Sequence, residues 1–169
     1  MILPIVKYGH PVLHTPAKPV DAITPDITRL IDDMVETMYA APGIGLAATQ
    51  VGVPLRVLVI DLSLGRQAGS QIHLINPVFI ERGGAQYEDE GCLSVPGYTA
   101  RVHRDSQVSV EGLNRHGEQV RHDATGLLAR AFQHEIDHLG GLVYLDHLRG
   151  LKRELILRGI RKQQRHGTW

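Results

Sequence analysis

The stretch Gln133-His134-Glu135-Ile136-Asp137-His138 decides how the rest of this sequence is interpreted. On a helix, two histidines four residues apart lie on one face, about one turn from each other. Two imidazoles in that arrangement can hold a single metal ion, and Glu135 lies close enough to handle protons on a metal-bound water. The stretch therefore predicts the core of a hydrolytic metal site that still needs a third ligand.

Cys92 is the only cysteine of the chain and our candidate for that third ligand. A lone cysteine is most often a buried apolar residue, and no internal disulfide is possible. The surrounding residues, Glu90–Gly97, include glycines and a proline, which suggests irregular backbone that presents the thiol. A thiolate is a strong ligand for a borderline-soft divalent ion, and the set Cys92, His134 and His138 leaves one position open for water.

Length and composition are those of an ordinary globular protein. We expect one domain, residues 1–169, because 169 residues suffice for a core that needs no disulfides. The formal net charge is zero, which argues against a general polyanion binder such as a DNA-binding protein. No apolar run approaches membrane-spanning length, and the apolar stretch at the N-terminus is too short for a secretory signal. We therefore expect a cytoplasmic protein without a membrane partner.

The hydrophobic pattern predicts an α+β fold, with antiparallel β-sheets packed around a central metal-binding helix and with an N-terminal and a C-terminal helix. The first helix runs from Pro25 to Ala40, with Thr24 as its cap. Strands are predicted at Arg56–Leu62, His73–Glu81, Tyr98–Glu111 (broken near Asp105) and Glu118–His122. Asn114–Gly117 is the predicted turn between antiparallel strands. The metal helix spans Thr125–Leu139, and a last helix begins near Leu148.

The segment Gly43–Gln50 is rich in glycine and could be mistaken for a dinucleotide fingerprint. The context argues against that reading, since the segment follows a helix and leads to a strand. We interpret it instead as backbone that a ligand chain can approach closely, with Gln50 as an amide donor.

Three segments, Gly43–Gln50, Glu90–Ser94 and Gln133–His138, resemble the three motifs of the peptide deformylases, and the resemblance extends over nearly the whole chain. The terminal helix is similar to that of the bacterial type I branch. The resemblance implies a metal-dependent hydrolase that removes the formyl group from the N-terminal formyl-methionine of nascent polypeptides and releases formate. It also implies one divalent metal per chain, natively Fe(II), which zinc, nickel or cobalt can replace.

The same resemblance implies a role for each motif residue. The metal ligands would be Cys92, His134 and His138. A metal-bound hydroxide would attack the formyl carbon, with Glu135 as general acid/base. Gln50 and the backbone N–H of Leu93 would stabilise the developing oxyanion. Glu90 would orient neighbouring groups or, like Glu88 and Asp89, solvate a loop.

The substrate-binding candidates are Gly43, Ile44, Gly45, Leu127, Arg130 and Ala131. The backbone of Ile44 and Gly45 would pair with the substrate, and Ile44, Leu127 and Ala131 would line an apolar pocket for methionine. Arg130 is a departure from the family, in which this position is commonly aliphatic, although its stem can line the pocket rim. Arg101 ends the segment Gly97–Arg101. Some relatives have a substrate-contacting arginine earlier than this position, which leaves the role of Arg101 open.

The C-terminal segment from Arg149 to Trp169 contains seven basic residues and one acid, Glu154. We predict that Leu148, Leu151 and Leu155 dock this helix while its basic face remains in water. A solvated face is the usual explanation of such a charge run. The resemblance adds a second hypothesis, contact with ribosomal RNA near the nascent-chain exit, mainly through phosphates.

Two other functions remain open from the residues alone. A metallopeptidase with the same His/Glu arrangement would cleave internal peptide bonds. In a non-enzymatic domain, the metal would only link Cys92 to the helix. Structural metal sites usually have four protein ligands, and the sequence offers no convincing fourth, which disfavours the second alternative.

Overall fold

The computed structural model describes residues 1–169, which form three α-helices and seven β-strands. The helices are α1 (Pro25–Ala40), α2 (Gly126–Leu139) and α3 (Gly150–Arg165). The strands are β1 (Gly45–Ala47), β2 (Val57–Ile60), β3 (Ile72–Gly83), β4 (Gln86–Cys92), β5 (Val95–Arg104), β6 (Gln107–Leu113) and β7 (Gln119–Thr125). The predicted α+β class, with antiparallel sheets and helices at both ends, is confirmed.

Helix α1 has the predicted bounds, and Pro25 lies in its first turn. Thr24 is the N-cap residue, but its side chain makes no capping hydrogen bond, so that part of the prediction was wrong. The reason is that the N–H of Ile27, which a capping side chain would bind, donates instead to the Thr24 carbonyl oxygen at 3.0 Å.

The main sheet has five antiparallel strands in the order β1-β2-β3-β6-β7. Strand β2 is buried on both faces because its side chains alternate between two cores. Leu58 and Ile60 pack with α2, whereas Val57 and Val59 pack with α1. The sheet therefore separates the two helices and holds α2 against its inner face. The predicted break near Asp105 and the predicted turn Asn114–Gly117 are both confirmed.

Strands β4 and β5 form a separate antiparallel hairpin; β5 was predicted from Tyr98 onward, whereas β4 and its pairing with β5 were not predicted. The expectation of a loop at Glu88 and Asp89 was wrong, whereas irregular backbone within Glu90–Gly97 is confirmed only after Cys92, at the turn Leu93–Ser94 and at the bulge that includes Gly97. Cys92 ends β4 and pairs with Val95 across a two-residue turn. The alternation was hard to detect because the buried face of this hairpin carries polar groups, among them Glu90 and Arg104. A register shift after Gly91 makes Pro96–Tyr98 bulge from β5.

Helix α2 matches the predicted metal helix within one residue and ends at Gly140. Phe132 and Leu139 are fully buried against the sheet, and Leu128 and Ile136 pack against the same core. This anchoring fixes the opposite face of α2, which carries His134 and His138 toward the hairpin.

Helix α3 begins at Gly150, two residues after the predicted start, and of the three leucines predicted to dock it only Leu148, which precedes the helix, packs against the core. Ile156 and Ile160 are its buried residues, whereas Leu151 is 72% and Leu155 is 50% exposed. Both pairs have helical i, i+4 spacing, so the sequence alone does not tell which pair faces the core. The core selects the isoleucines, which pack with Val102 and Tyr144. None of the helices has the length and apolar character that crossing a membrane requires.

Candidate metal centre

The three predicted ligands come together in the folded chain. Sγ of Cys92, at the end of β4, lies 3.3 Å from Nε2 of His138, which in turn lies 3.2 Å from Nε2 of His134. All three donor atoms lie within 4.8 Å of one another, and no other His, Cys, Asp or Glu joins the group. The hairpin turn and α2 therefore build one site from two distant parts of the chain.

The geometry of these atoms fits a shared cation. Two nitrogens bound tetrahedrally to one ion at about 2.1 Å would be about 3.4 Å apart, close to the observed separation. One thiol sulfur and two imidazole nitrogens are ligands that a borderline-soft divalent metal accepts. If these three side chains held an ion, one coordination position would remain open, as in a catalytic centre, whereas structural sites usually have four protein ligands.

The imidazole of His134 is oriented from behind by Glu90. Nδ1 of His134 lies 2.8 Å from Oε1 of Glu90, so Nδ1 carries the proton and Nε2 keeps its lone pair for a metal. Glu90 is in turn held by Arg104, whose Nε and Nη2 donate to its two carboxylate oxygens at 2.8 and 2.9 Å. Arg104 also bonds Asp137, a residue of the metal helix. This buried network ties the hairpin to α2 beneath the ligands.

Charges around the site shift the pKa values of its members. Burial raises the pKa of Glu90, but its contacts with Arg104 and His134 outweigh burial and lower that pKa to about 2. Burial lowers the pKa of His138 well below its usual value, which keeps the imidazole neutral, as a ligand must be. Burial also lowers the pKa of His134, yet the contacts with Cys92 and Glu90 raise it overall. The second proton that His134 would take up on Nε2 competes with a bound cation for the same lone pair.

Glu135 is buried beside the ligands and is poised to hold a proton. Its side chain is on the metal-facing part of α2, and Oε2 has no hydrogen-bond partner within the protein. Burial raises the pKa of Glu135 to about 7. A carboxyl group with a pKa near neutrality can both accept and donate a proton at physiological pH.

The glycines of the segment Gly43–Gln50 make room for the other two motifs. A Cβ added at Gly45 would lie 2.7 Å from Oε1 of Glu135, and one added at Gly43 would lie 2.8 Å from the Leu93 side chain. The observed close approach is therefore by protein side chains, and the approach of a ligand chain to this backbone stays a prediction. The glycine-rich segment, the hairpin turn and α2 pack directly against one another.

Gln50 points its amide nitrogen at the metal site. Oε1 of Gln50 accepts a hydrogen bond from the backbone N–H of Ala47 at 3.0 Å, which fixes the orientation of the amide. Nε2 then lies 3.5 Å from Sγ of Cys92 and 3.2 Å from Oγ of Ser94. The predicted amide donor is therefore preorganised next to the ligands.

Strand β1 is an edge strand of the main sheet and can pair with an extended ligand. The N–H of Asp61, the residue after β2, donates to the Ile44 carbonyl at 2.8 Å, so the pairing between β1 and β2 extends to that carbonyl. Because these bonds alternate along an antiparallel pair, Gly45 directs its N–H and C=O away from β2, toward the open edge. Of the two residues predicted to pair with substrate backbone, Gly45 has the free edge groups.

A cavity of about 780 Å³ opens above the metal ligands. Apart from His138, which is fully buried below, it is lined by all the residues predicted for the site: Gly43, Ile44, Gly45, Gln50, Cys92, Leu93, Leu127, Arg130, Ala131, His134 and Glu135. The sequence did not indicate several other lining residues, among them Pro42, Leu64 and Tyr98.

Arg130 and Arg101 lie in different places relative to the cavity. Arg130 lines the cavity, with Nη1 3.3 Å from Oε1 of Gln86. Arg101 does not line it: the guanidinium lies 4.6 Å from the ring centre of Tyr87 and donates to the Tyr87 carbonyl. Arg101 therefore lies on the exposed face of the β4–β5 hairpin, away from the cavity.

Sequence reasoning missed Arg104 and Asp137 as supports of the site. A signal was present, since Ala100, Val102 and Arg104 alternate along one buried face of β5. An arginine in such a position needs a buried acidic partner, and Glu90 is the acid of the neighbouring motif.

Comparison with known proteins gives a consistent result over the whole chain. The sequence model of the family described as Polypeptide deformylase matches residues 2–154. The peptide deformylase of Acidobacterium capsulatum is 52% identical over 169 residues, which span 100% of this chain and 99% of that protein. The peptide deformylase of Halothermothrix orenii is 54% identical over 155 residues, 92% of this chain and 99% of that protein.

Two solved structures show the same likeness in three dimensions. The crystal structure of a peptide deformylase from Legionella pneumophila has a TM-score of 0.92 at 40% identity, covering 99% of this chain and 98% of that chain. The peptide deformylase from Synechococcus elongatus, in complex with actinonin, has a TM-score of 0.90 at 39% identity, covering 94% of this chain and 87% of that chain.

Proposed function

The chain belongs to the polypeptide deformylase family, metal-dependent hydrolases that remove the formyl group from the N-terminal methionine of nascent peptides, and we propose that Cys92, His134 and His138 hold its catalytic metal. We further propose that residues 1–169 form one catalytic domain. The observation that carries the proposal is the convergence of three donor atoms within 4.8 Å beside a buried carboxyl and an open cavity.

The protein supplies donors for the charge that develops on the formyl oxygen. A divalent cation bound by the three ligands would act as a Lewis acid that polarises the formyl carbonyl and eases deprotonation of water. Nε2 of Gln50 and the backbone N–H of Leu93 would donate hydrogen bonds to the developing oxyanion. One preorganised donor of this kind is worth about 3 kcal/mol of transition-state stabilisation.

Glu135 would move the proton that the reaction requires. It accepts a proton from the attacking water and returns it to the amine nitrogen, which must be protonated to leave. The products are formate and a free N-terminus. Support comes from the pKa of Glu135, which burial raises to about 7, and from its unpaired Oε2.

The cavity would bind the substrate along β1. The free edge groups of Gly45 would pair with the peptide backbone, while Leu127 and Ala131 on α2, with Ile44 and the stem of Arg130, would surround the methionine side chain. Actinonin, which occupies the Synechococcus elongatus protein, would bind here as well, so addition of actinonin should raise the Tm of this protein.

We propose Fe(II) as the native metal, with zinc, nickel or cobalt as substitutes. The thiolate ligand supports a borderline-soft divalent ion but does not select among them. Oxygen attacks both partners of an iron–thiolate centre, so the iron form should lose activity in air while the nickel form retains it. Metal analysis of anaerobically purified protein, with activity measured on the same sample, tests the assignment.

Formate release from formyl-Met-Ala-Ser tests the function directly. The wild-type protein should release formate and leave internal peptide bonds intact; cleavage of those bonds would favour a metallopeptidase instead. Glu135→Gln should keep its metal yet lose turnover by at least about a hundredfold. Glu88→Gln, which changes an exposed carboxylate of β4 outside the cavity, is the matched control and should remain active. Full activity of Glu135→Gln would refute the assigned role.

We propose a cytoplasmic location because nascent polypeptides are the substrates, and a contact between α3 and the ribosome. Five basic residues of α3 are exposed and make no ion pair: Lys152, Arg158, Arg161, Lys162 and Arg165. An unneutralised basic face suits RNA phosphates.

A further inference from the structure

Leu64 holds an unfavourable backbone conformation at the edge of the metal cavity. Its φ is +56°, and the following Gly65 has a φ of +81°. The N–H of Arg66 donates to the Ser63 carbonyl at 3.1 Å, which closes a turn with both central residues in the left-handed region. Such turns favour Asn, Asp or Gly, and a leucine there costs roughly 1 kcal/mol or more.

Asp61 holds this turn rigidly against the sheet. Oδ1 of Asp61 accepts from the N–H of Ser63 at 2.8 Å and from its hydroxyl at 2.7 Å, and Oδ2 accepts from the N–H of Gly65 at 3.1 Å. The hydroxyl of Tyr39 on α1 also donates to Asp61. Because the N–H of Asp61 bonds the Ile44 carbonyl, the turn is tied to the strand that we propose binds substrate.

The position of Leu64 places it away from the metal along the cleft. The C-terminal end of β1 leads to Gln50, which lies beside Cys92. Asp61 and the turn that carries Leu64 lie at the other end of β1, beside Ile44. A peptide whose formyl group is at the metal and whose backbone follows β1 therefore reaches Leu64 with residues that follow methionine. The cavity, about 780 Å³, has the volume of sites that hold ligands larger than one side chain.

The fold does not explain why this residue is a leucine. Leu64 lines the cavity but belongs to none of the three hydrophobic cores or their packed neighbours. Asn or Gly would suit the turn better, so the leucine has a local cost that no packing contact in the cores offsets.

We infer that Leu64 is a specificity-determining residue that favours formyl-Met substrates with an apolar side chain at the second or third position. This inference depends on the proposed function, since it assumes the same peptide in the same cleft. When a substrate leucine after methionine packs against Leu64, apolar surface of both side chains is removed from water. A substrate asparagine at the same position would instead lose hydrogen bonds to water.

The test compares kcat/KM for two peptide pairs, formyl-Met-Leu-Ala with formyl-Met-Asn-Ala and formyl-Met-Ala-Leu with formyl-Met-Ala-Asn. The wild-type protein should prefer leucine over asparagine in at least one pair by about fivefold or more. Leu64→Asn and Leu64→Gly should bring that ratio within about twofold. Both variants fit the left-handed turn, so their Tm should not fall. Leu62→Asn, on the same turn but outside the cavity, is the matched control and should keep the wild-type ratio.

The outcomes separate the two hypotheses. If the wild-type protein released formate from none of the four peptides, the proposed function itself would be refuted. Formate release with unchanged ratios in both Leu64 variants would overturn only the inference. A Tm well below that of the wild type in both variants would assign Leu64 to packing and also overturn it.

Discussion

Oε1 of Glu90 lies 2.8 Å from Nδ1 of His134, although 44 residues separate the two in the sequence. Glu90 accepts a hydrogen bond from Nδ1 of His134 on one side and two hydrogen bonds from the guanidinium of Arg104 on the other. The metal-facing nitrogen of His134 is thereby defined before any metal arrives. Support of this kind behind a ligand usually controls both metal affinity and ligand orientation.

Replacing Glu90 by Gln should weaken metal binding. An amide can still accept a hydrogen bond from Nδ1 but no longer carries the charge that makes the imidazole a stronger ligand, so affinity should fall roughly 10- to 100-fold. Competition with a chelator of known affinity measures the change. Glu88→Gln, which changes an exposed carboxylate of the same strand, should bind metal as the wild type does; equal loss in both variants would contradict a specific role of Glu90.

Replacing Arg104 by Met should destabilise the fold. The Arg104 side chain is only 4% exposed, and its removal leaves the buried Glu90 carboxylate without its main partner. Breaking a buried ion pair in this way costs about 3 to 5 kcal/mol of unfolding free energy. Urea unfolding measures it. Arg29→Met removes an exposed i, i+3 ion pair with Asp26 and should cost less than about 1 kcal/mol. Equal costs would show that burial does not matter here.

Acid should destabilise the metal-free protein partly through Glu90. Burial raises its pKa, but Arg104 and His134 outweigh burial and lower it from 4.5 to about 2. A carboxyl with a depressed folded-state pKa contributes stability above its unfolded pKa, and this stability is lost as the pH falls through the folded pKa. The stability advantage of wild type over Glu90→Gln should therefore shrink between pH 4.5 and 2. Urea unfolding at several pH values tests this, and a constant difference would contradict it.

Replacing Gly45 by Ala should lower turnover by about a hundredfold while the metal stays bound. The added Cβ would lie 2.7 Å from Oε1 of Glu135, so either the carboxyl or β1 must move. Misplacing a catalytic group by about 1 Å can cost about a hundredfold in rate. Gly83→Ala is the control, because an added Cβ there meets nothing within 4 Å. Formate release and metal content are measured on both variants, and an active Gly45→Ala protein would count against the assigned position of Glu135.

Ribosome contact is best tested by changing charges, because deleting α3 would remove the buried Ile156 and Ile160. A triple variant, Arg158→Gln, Arg161→Gln and Arg165→Gln, changes only exposed side chains. Co-sedimentation with ribosomes should fall, and the remaining binding should depend less steeply on salt, because fewer phosphate contacts are made. The Tm should stay near that of the wild type. Unchanged co-sedimentation would exclude this basic face as the contact.

Local patterns in the sequence determined much of the fold. The stripe from Ile27 to Met38 predicted α1, and β-branched runs predicted β2, β3 and β7, because side-chain periodicity reflects the backbone of the same segment. The convergence of Cys92, His134 and His138 was also predictable, since few side chains bind metals and two of these have helical spacing. Strand β5 was predicted from Tyr98 onward, but the polar Glu90 on the buried face of β4 masked the alternation of that strand, so β4 and its pairing with β5 were not found.

Relations between distant segments were decided only by the tertiary structure. The choice of Ile156 over Leu155 as the docking residue of α3, the clamp of Arg104 on Glu90 and the contact of Gly45 with Glu135 all depend on which surfaces meet. Sequence periodicity gives each element its faces, but it does not say which partner covers a face. That choice is made by packing the whole core at once, which also places Leu64 at the edge of the cleft.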